Sequence, residues 1–502
     1  MGKGKGLSKM LQMKSGHLKI DCTIAEPEAS SMIEAFRAIG YSIETAIADI
    51  IDNSISAGAK NIWIDYSWRG PDSVIGIMDD GCGMSDEELI QAMRLGSISP
   101  LSERRENDLG RFGMGMKTAS FSQCRKFCVL SKKAGNEKTF WTWDLDFVNQ
   151  ENAWKIIRYI PEGIDFLERF DRLESGTVVL WWDIDRVTKD LSADTESSRA
   201  DFLATMDRVK KHLSMVFHRY IERGVKIRLQ GRDIEPWDPF MIGFNGLQVR
   251  PEAMLDGGRV RIKGFILPHR SKLSAEQYDY GKGPKGSWVA HQGFYVYRND
   301  RLLVAGDWLG LFKKEVHYDL CRIRIDLKND IDEDWQIDIK KSVARPPARL
   351  KEALLAIAKE TRARAVEVYR HRGKIVKRRL GGDEYLPVWE ERIRHGKRFY
   401  RINRQHPLVR KLVQDPGPLS TEIEKVFQVI EETVPIPLIT LRENENENPH
   451  GKPFEGRCEN VLDIMKKIYK KFISDGIGEK EAKARLANME PFNFYVELIE
   501  KL

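Results

Sequence analysis

"GRFGMGMKT", residues 110–118, is a glycine-rich stretch with nearly the spacing of a phosphate-binding P-loop. A P-loop reads G-x-x-x-x-G-K-[ST], so its lysine directly follows the second glycine. In this chain Gly110 and Gly115 have the required separation, but Met116 stands between Gly115 and Lys117. The stretch is therefore not a regular P-loop, and the residues around it decide what it holds.

Those neighbouring residues predict a loop that leads into a helix. The preceding segment, "GSISPLSERRENDLGR" (96–111), is polar and charged, whereas a P-loop follows a buried strand. Gly113 and Gly115 precede an apparent helix, "MKTASFSQ" (116–123), whose free N–H groups and partial positive charge favour an anion. Lys117 in the first turn opposes the helix dipole unless an anion lies there. We interpret the region as a loop that closes onto a phosphate-binding helix start.

A second helix, beginning after Ser42, carries a carboxylate and an amide one turn apart. Ser42 is a suitable N-cap, with Glu44 in the first turn. Asp49 and Asn53 are four residues apart, so they share one side of the helix. Their oxygens suit Mg²⁺, although an Asp–Asn pair on a helix most often has no function. The residues that define the packed face recur at helical spacing: Ile43, Ala46, Ile47, Ile50, Ile51, Ser54 and Ile55.

A second glycine-rich motif, "DDGCGMS" (79–85), directly follows the predicted strand "SVIGIMD" (73–79). Gly81 and Gly83 allow a tight turn and a close approach to a flat ligand. Asp79 at the strand end only accepts hydrogen bonds, which suits an exocyclic amine such as that of adenine. Taken alone, the motif is more typical of an ordinary turn.

Length and composition indicate a multidomain globular protein. The chain has 502 residues, 41% of them hydrophobic and 31% charged, which predicts two to four domains. It has no run of 18 or more apolar residues, and its first residues lack the apolar centre of a signal peptide. The six cysteines suggest neither a disulfide framework nor a zinc site. We therefore expect a cytoplasmic protein without a membrane partner.

Positive charge is concentrated in one part of the chain. Residues 361–412 contain sixteen Lys and Arg against five Asp and Glu, an excess of eleven, whereas the whole chain has a net charge of +7. Such a region indicates nucleic-acid binding, and a solvated helix face with a linker explains it equally well. The residues that we expect to face DNA are Lys374, Lys377, Arg378, Arg379, Arg392, Arg394, Lys397 and Arg398.

Taken in order, these motifs resemble those of the GHKL ATPases. The order is a helix with D-x-x-D-N, a strand with D-x-G-x-G, a polar loop with G-x-G-x-K, and "SGTVVLWW" (175–182). That superfamily comprises gyrase, the heat-shock chaperones of this fold, histidine kinases and MutL. "DNSISAGA" (52–59) and "GMGMKTAS" (113–120) are most similar to its MORC and MutL branch, which includes MORC-like proteins of bacteria.

The resemblance implies a set of ligands and roles. Asn53 is expected to ligate Mg²⁺, Asp79 to bind adenine, and residues 96–112 to form an ATP lid. The general base of the family is usually Glu, four residues before the Asn, but Asp49 stands there and is one methylene shorter. Glu44 lies on a different side of the helix, so hydrolysis is expected to be slow. The nucleotide-binding residues implied are Asn53, Asp79, Gly81, Gly83, Met84, Gly113, Gly115, Lys117, Thr118 and Thr177.

A downstream region resembles the transducer domain of the same family, which has a ribosomal-S5-like fold. "GFYVYRNDRLL" (293–303) is similar to its strand and turn, and "WQIDIKKSVARPP" (335–347) to the stretch that sends a cation to the γ-phosphate. Lys341 is the first choice for that catalytic cation, with Lys340 second. The resemblance covers about residues 30–372.

The fold expected is α+β, a GHKL α/β sandwich followed by the transducer and a mixed C-terminal region. The resemblance implies ATP and Mg²⁺ as cofactors, closure of a homodimer, action on DNA as a clamp, and a place in bacterial DNA defence beside operon partners (a nuclease, helicase or methyltransferase). The alternative is a non-hydrolysing ATP-gated chaperone or scaffold. A histidine kinase would need a phosphoacceptor before the ATP domain, where only His17 stands. The expected divisions are 1–20 (flexible, basic), 21–190 (ATP-binding), 191–372 (transducer) and 383–502 (unknown role).

Overall fold

The computed structural model describes residues 27–38, 40–96, 114–188, 195–328, 331, 334–337, 344–375, 388–394, 397–414, 418–435, 458–489, 491–492, 495–500 and 502. Within these residues, helices are combined with two large sheets and a two-stranded ribbon, which confirms the α+β class. The helices before residue 225 are α1 (Ala29–Arg37), α2 (Ile43–Ser56), α3 (Asp86–Met93), α4 (Gly115–Phe121), α5 (Leu145–Glu151), α6 (Glu168–Asp171), α7 (Asp185–Thr188), α8 (Glu196–Val216) and α9 (His218–Glu222).

The first sheet has seven strands in the order β4-β3-β5-β2-β1-β6-β7. Neighbouring strands are antiparallel, except that β1 and β6 run parallel. Because β6 and β7 follow α8 and α9, this sheet extends beyond the expected division at residue 190, which stays a prediction. The strands are β1 (Asn61–Ser67), β2 (Val74–Asp79), β3 (Lys126–Lys132), β4 (Thr139–Asp144), β5 (Gly176–Trp182), β6 (Lys226–Leu229) and β7 (Arg232–Asp233).

Strand β2 lies in the middle of this sheet, and its alternation divides the core into two layers. Ile75 and Ile77 belong to the core that contains the apolar residues of α2, whereas Val74 and Met78 belong to the core on the other side. Successive side chains of a strand point to opposite faces. Asp79, the last residue of β2, therefore lies on the face covered by α2, and this places it at the edge of a helix–sheet layer.

Helix α2 forms where its sequence pattern predicts it. The Ser42 side chain accepts from the Thr45 N–H and caps the helix, as the sequence predicted. Ala46, Ile47 and Ile51 are fully buried, because their spacing turns them to the sheet. The helix ends at Ser56, and this rigid element carries Asp49 and Asn53 across the sheet.

The second sheet has the strand path β12-β11-β13-β10-β8, and β9 pairs with β10. Strands β11 and β13 are parallel, and the other pairs are antiparallel. Helix α11 packs across β10 and β13 and supplies buried residues to their core. The elements are β8 (Gln248–Val249), β9 (Ala253–Leu255), β10 (Val260–Ile266), α10 (Ala275–Lys282), β11 (Gly293–Arg298), β12 (Arg301–Asp307), β13 (Cys321–Leu327) and α11 (Ala348–Ile375).

The C-terminal part contains a ribbon and further helices. The antiparallel strands β14 and β15 form the ribbon, and residues of α14, α15 and α16 share a small apolar core. No helix among the described residues combines the length and the apolar character needed to cross a bilayer. The elements are β14 (Trp389–Arg394), β15 (Lys397–Ile402), α12 (Pro407–Gln414), α13 (Pro418–Glu432), α14 (Cys458–Ser474), α15 (Glu479–Ala487) and α16 (Val496–Ile499).

Candidate nucleotide-binding site

Helix α2 holds a buried carboxylate and an exposed amide one turn apart. Asp49 is 3% exposed, and its Oδ2 accepts a hydrogen bond from the Tyr41 hydroxyl at 3.0 Å. A Cβ placed on Gly115 would lie 3.7 Å from that oxygen, so the start of α4 lies against Asp49. Asn53 is exposed. The geometry thus fixes the Asp49 carboxylate and leaves Asn53 exposed.

The Asp79 carboxylate is fixed by three hydrogen bonds. Its Oδ2 accepts from the Ser54 hydroxyl of α2 at 2.7 Å. Its Oδ1 accepts from the backbone N–H of Gly81 at 2.9 Å and from that of Thr177 at 3.2 Å. Burial raises the pKa of Asp79 above its usual value, and these hydrogen bonds oppose the rise. A carboxylate accepts about four hydrogen bonds, so these three leave capacity for one further donor.

The turn after Asp79 has little room for side chains. Gly83 has φ +64°, and a Cβ there would lie 1.9 Å from the Lys132 carbonyl oxygen. A Cβ on Gly81 would lie 2.9 Å from the Ala57 Cβ, because the turn passes close to the end of α2. The glycines of this motif are therefore required by the protein's own packing, and they keep the backbone close against the neighbouring strand.

Thr177 and Met84 both contact the hydroxyl group of Ser131. Thr177 lies directly opposite Asp79 in the β2–β5 register. The hydroxyls of Thr177 and Ser131 are 2.9 Å apart, and Ser131 Oγ also accepts from the Met84 N–H at 2.8 Å. The structure thus brings together Asp79, Thr177 and Met84, and their contact with adenine stays a prediction.

Lys117 has partners other than the expected phosphate. Its ammonium group donates to the carbonyl oxygens of Ala92 and Arg94 at 2.8 and 2.7 Å, where α3 ends. Burial lowers the pKa of Lys117 to about 8. A cation at the C-terminal end of a helix stabilises the last carbonyl groups. Contact with a phosphate stays a prediction, and the two carbonyls already take two of the three N–H donors of the Lys117 ammonium group.

Thr118 is also used internally. Its side chain is fully buried, and its hydroxyl donates to the carbonyl of Met114 at 3.0 Å within the same helical turn. Among the described residues, Gly115 has no close neighbour that would exclude a Cβ, since the nearest atom lies 3.7 Å away. The packing of these residues therefore does not explain a glycine at 115, and its phosphate-binding role stays a prediction.

Several predicted residues lie outside the described part of the chain. Among them are Gly113 and most of the expected lid, and also Lys341 with its alternative Lys340. Of the predicted DNA-facing residues, Lys377, Arg378 and Arg379 lie outside it as well. The backbone of Lys374, Arg394, Lys397 and Arg398 is described, and only Arg392 has a described side chain.

Sequence reasoning missed three polar residues that orient the site. Tyr41 orients Asp49, Ser54 orients Asp79, and Ser131 links Met84 to Thr177. A signal existed for Ser54, because it lies one residue after Asn53 on the face of α2 that packs on the sheet. No sequence pattern indicated Tyr41 or Ser131, since their contacts join segments that are separate in the sequence.

Comparison with known proteins assigns the class of this domain. Residues 41–177 match the family described as histidine kinase-, DNA gyrase B-, and HSP90-like ATPase. The chain is 32% identical over 91 residues to the ATPase morc-1 of Caenorhabditis elegans, which covers 18% of this chain and 10% of that protein. It is 33% identical over 107 residues to the DNA mismatch repair protein MutL of Rickettsia bellii (strain OSU 85-389), which covers 20% of this chain and 17% of that protein. It is 29% identical over 125 residues to MutL of Dictyoglomus turgidum, which covers 24% of this chain and 21% of that protein.

Residues 41–177 therefore belong to an ATPase-type domain of the GHKL superfamily. Within that superfamily the domain is of the MORC- and MutL-like kind, which confirms the resemblance seen in its motifs. The matched stretches span about a fifth or less of the length of these relatives. ATP binding by this chain is therefore a proposal.

Asp79→Asn is expected to weaken ATP binding at least about 10-fold, the equivalent of one good polar interaction. The amide has a single acceptor oxygen, so it cannot accept from Ser54, Gly81 and Thr177 and also from adenine. Titration of ATP and GTP measures the effect, and an equal loss for both nucleotides would argue that Asp79 does not contact the base. Asp80→Asn is the matched control, because Asp80 instead accepts from the N–H groups of Lys60 and Asn61.

Proposed function

We propose that the chain binds ATP with Mg²⁺, hydrolyses it slowly, and uses the nucleotide to close a dimer that acts on DNA. The observation that carries this proposal is the Asp79 carboxylate, buried beside two packed glycines and opposite Thr177. Its remaining acceptor capacity suits the amine of adenine, and the family match over residues 41–177 supports the same nucleotide.

Asn53 and Asp49 have the chemistry for the metal and water side of the site. Mg²⁺ prefers oxygen ligands and takes few from the protein, so one amide oxygen fits its needs. When bound, Mg²⁺ neutralises phosphate charge. In this proposal Asn53 holds the ion, Asp49 takes the proton of the attacking water, and Tyr41 fixes the carboxylate of Asp49.

The phosphate side depends on the start of α4 and on a cation that lies between β13 and α11 in the sequence. Gly113, Gly115, Lys117 and Thr118 are the proposed phosphate ligands, and Lys341 is proposed to bind the γ-phosphate. A phosphate at Lys117 would compete with the two carbonyls of the α3 end for its ammonium group. Such competition would link nucleotide binding to the end of α3.

The ribbon of β14 and β15 supports the DNA part of the proposal. Its antiparallel register places Arg392 opposite Phe399 and Arg394 opposite Lys397. Directly opposed residues share a face, and alternate residues return to it, so Arg392, Arg394, Lys397 and Arg401 lie on one face. Glu390 is the acidic residue on that face, and it pairs with Arg392 at 2.6 Å. A two-stranded ribbon with such a face fits a phosphate backbone.

Arg394→Glu is expected to weaken DNA binding and to lower the slope of log K against log salt by about 0.9 for each phosphate that the variant no longer neutralises. Different DNA sequences should be affected alike, because phosphate interactions carry no sequence information. The matched control is Lys138→Glu, the same change of charge at an exposed residue of the first sheet's region. If the slope of log K against log salt were unchanged in Arg394→Glu, the ribbon would be a solvated surface that does not bind DNA.

The proposed function is tested by ATP hydrolysis with and without DNA, together with the mass of the protein in a non-hydrolysable ATP analogue. We expect slow turnover that DNA alters, and a doubling of mass in the analogue. A monomer at saturating analogue would contradict dimer closure.

One observation favours a second function, an ATP-gated scaffold without turnover. Asp49 is one methylene shorter than the usual glutamate, and it is buried against the start of α4. A base displaced by about 1 Å can lose on the order of 100-fold in rate. Tight ATP binding with no measurable hydrolysis would favour this second function. A DNA-defence role rests on the family resemblance and is proposed on that basis.

A further inference from the structure

A buried ion pair joins the helix of Asp49 and Asn53 to the second sheet. Arg301 Nε and Asp52 Oδ1 are 2.9 Å apart, and the two side chains are 5% and 0% exposed. The Arg301 guanidinium also lies over the ring of Phe217, 4.7 Å from its centre. The two charges are 249 residues apart in the sequence and lie inside the protein.

A buried ion pair does not by itself show that the pair stabilises the fold. Both charges lose their hydration on burial, and apolar residues of similar size often hold a core equally well. Buried charged pairs are best attested where they fix a register or serve as a switch. The elements that this pair joins therefore indicate what role it has.

On one side the pair is joined directly to the candidate nucleotide site. Asp52 stands immediately before Asn53 and three residues after Asp49, within the single helix α2. The helix is a rigid element, so a shift of Asn53 or Asp49 on binding would displace Asp52 as well.

On the other side the pair reaches the tip of a hairpin. Arg301 is the first residue of β12, directly after the turn residues Asn299 and Asp300, which have φ values of +46° and +64°. The Asn299 carbonyl accepts from the Tyr220 hydroxyl, and Asp300 accepts from Arg219 at 3.1 Å. The tip is thus fixed to α9 by hydrogen bonds that do not involve α2.

The surroundings of the pair leave room for movement. A cleft of about 710 Å³, partly open to solvent, adjoins Arg301 and is also lined by Thr45 of α2, His212 of α8 and Leu303 of β12. The cleft separates part of α2 from β12, so the side of the ion pair that faces it is not closely packed. Burial lowers the pKa of His212 to about 4, so its ring is neutral near pH 7 and does not compete for Asp52.

We propose that Asp52 and Arg301 are positioning residues that couple the nucleotide state of α2 to the β11–β12 hairpin. The inference rests on the proposed binding of ATP at α2. In this role the ion pair transmits a displacement of α2 to the second sheet, while the hydrogen bonds to α9 keep the hairpin docked.

The double variant Asp52→Asn with Arg301→Gln tests this coupling, because it removes both charges and nearly keeps both shapes. A neutral pair leaves no buried unpaired charge, so we expect thermal unfolding close to that of the parent. We expect ATP affinity and KM within about 3-fold of the parent, and kcat lower by about 10-fold, in the range of measured coupling effects. ATP should no longer change the hydrogen exchange of residues 293–307.

Asp300→Asn is the matched control, because it weakens the same hairpin tip on the α9 side and leaves the ion pair intact. It should keep the ATP-dependent change in exchange. If the double variant does not fold, Asp52→Asn with Arg301→Met takes its place, because it also leaves no buried unpaired charge and keeps an apolar side chain beside Phe217.

The outcomes separate this inference from the proposed function. ATP binding by the parent without any change in exchange at residues 293–307 would overturn the coupling alone, as would an unchanged response in the double variant. Failure of the parent to bind ATP would overturn both. Loss of the response in the double variant, with stability and affinity kept, supports the coupling, because a merely structural pair would not separate these quantities.

Discussion

Asp49→Asn is expected to lower ATP hydrolysis by at least about 100-fold and to leave ATP binding within a few-fold of the parent, since general bases contribute about 10²–10⁴ in rate. The Asn amide keeps the shape of the side chain and can still accept from the Tyr41 hydroxyl, which lies 3.0 Å from Asp49 Oδ2. It cannot take a proton from water. Single-turnover release of phosphate, measured beside equilibrium binding of ATP, separates the two effects.

Two further variants sharpen this prediction. Asp49→Glu should keep or raise hydrolysis, because the longer side chain restores the reach that is usual in the family. Tyr41→Phe should lower the rate less than Asp49→Asn does, because it removes only the donor that orients the carboxylate. If Asp49→Asn hydrolyses ATP as fast as the parent, Asp49 is not the base.

Asn53→Ala is expected to abolish Mg²⁺-dependent nucleotide binding. The side chain is exposed on α2, and Ala has a higher helix propensity than Asn, so the fold should remain intact. What the variant removes is an oxygen ligand that Mg²⁺ requires. Titration with ATP in Mg²⁺ and in EDTA measures the effect, and circular dichroism checks the fold.

Ser56→Ala is the control for Asn53→Ala, because Ser56 lies near the end of the same helix and its hydroxyl bonds the Asp52 carbonyl at 2.9 Å. It should bind Mg-ATP like the parent. If the Asn53→Ala variant bound Mg-ATP with the parent's affinity, Asn53 would not be part of the nucleotide site.

Local patterns were sufficient to predict the elements that hold the site. The Ser42 cap and the apolar spacing of α2 predicted that helix, because a helix buries one face and its cap is satisfied within one turn. Strand β2 was equally clear, since all six of its residues are buried and Asp79 stands at its end. The glycine pattern after this strand predicted a tight turn, and the reason for both glycines lies in neighbouring elements, since Ala57 excludes a side chain at 81 and Lys132 excludes one at 83.

Contacts between distant elements could not be predicted from such patterns. The Asp52–Arg301 pair joins positions 249 residues apart, and no periodicity of either segment indicates it. The direction of Lys117 depends on where α3 ends, which is a property of the packed structure. Helix α8 ends at Val216 and α9 begins at His218, because the Phe217 backbone is not helical and its fully buried ring lies beneath Arg301. In each case tertiary packing determined the outcome.

Equilibrium binding of ATP to the parent chain, in Mg²⁺ and in EDTA, tests the central claim most directly. We expect saturable binding of one ATP per chain in Mg²⁺, at least about 10-fold weaker in EDTA and in Asp79→Asn, as the removal of one strong interaction requires. Absence of saturable binding would contradict the account, and so would binding that neither EDTA nor Asp79→Asn changes.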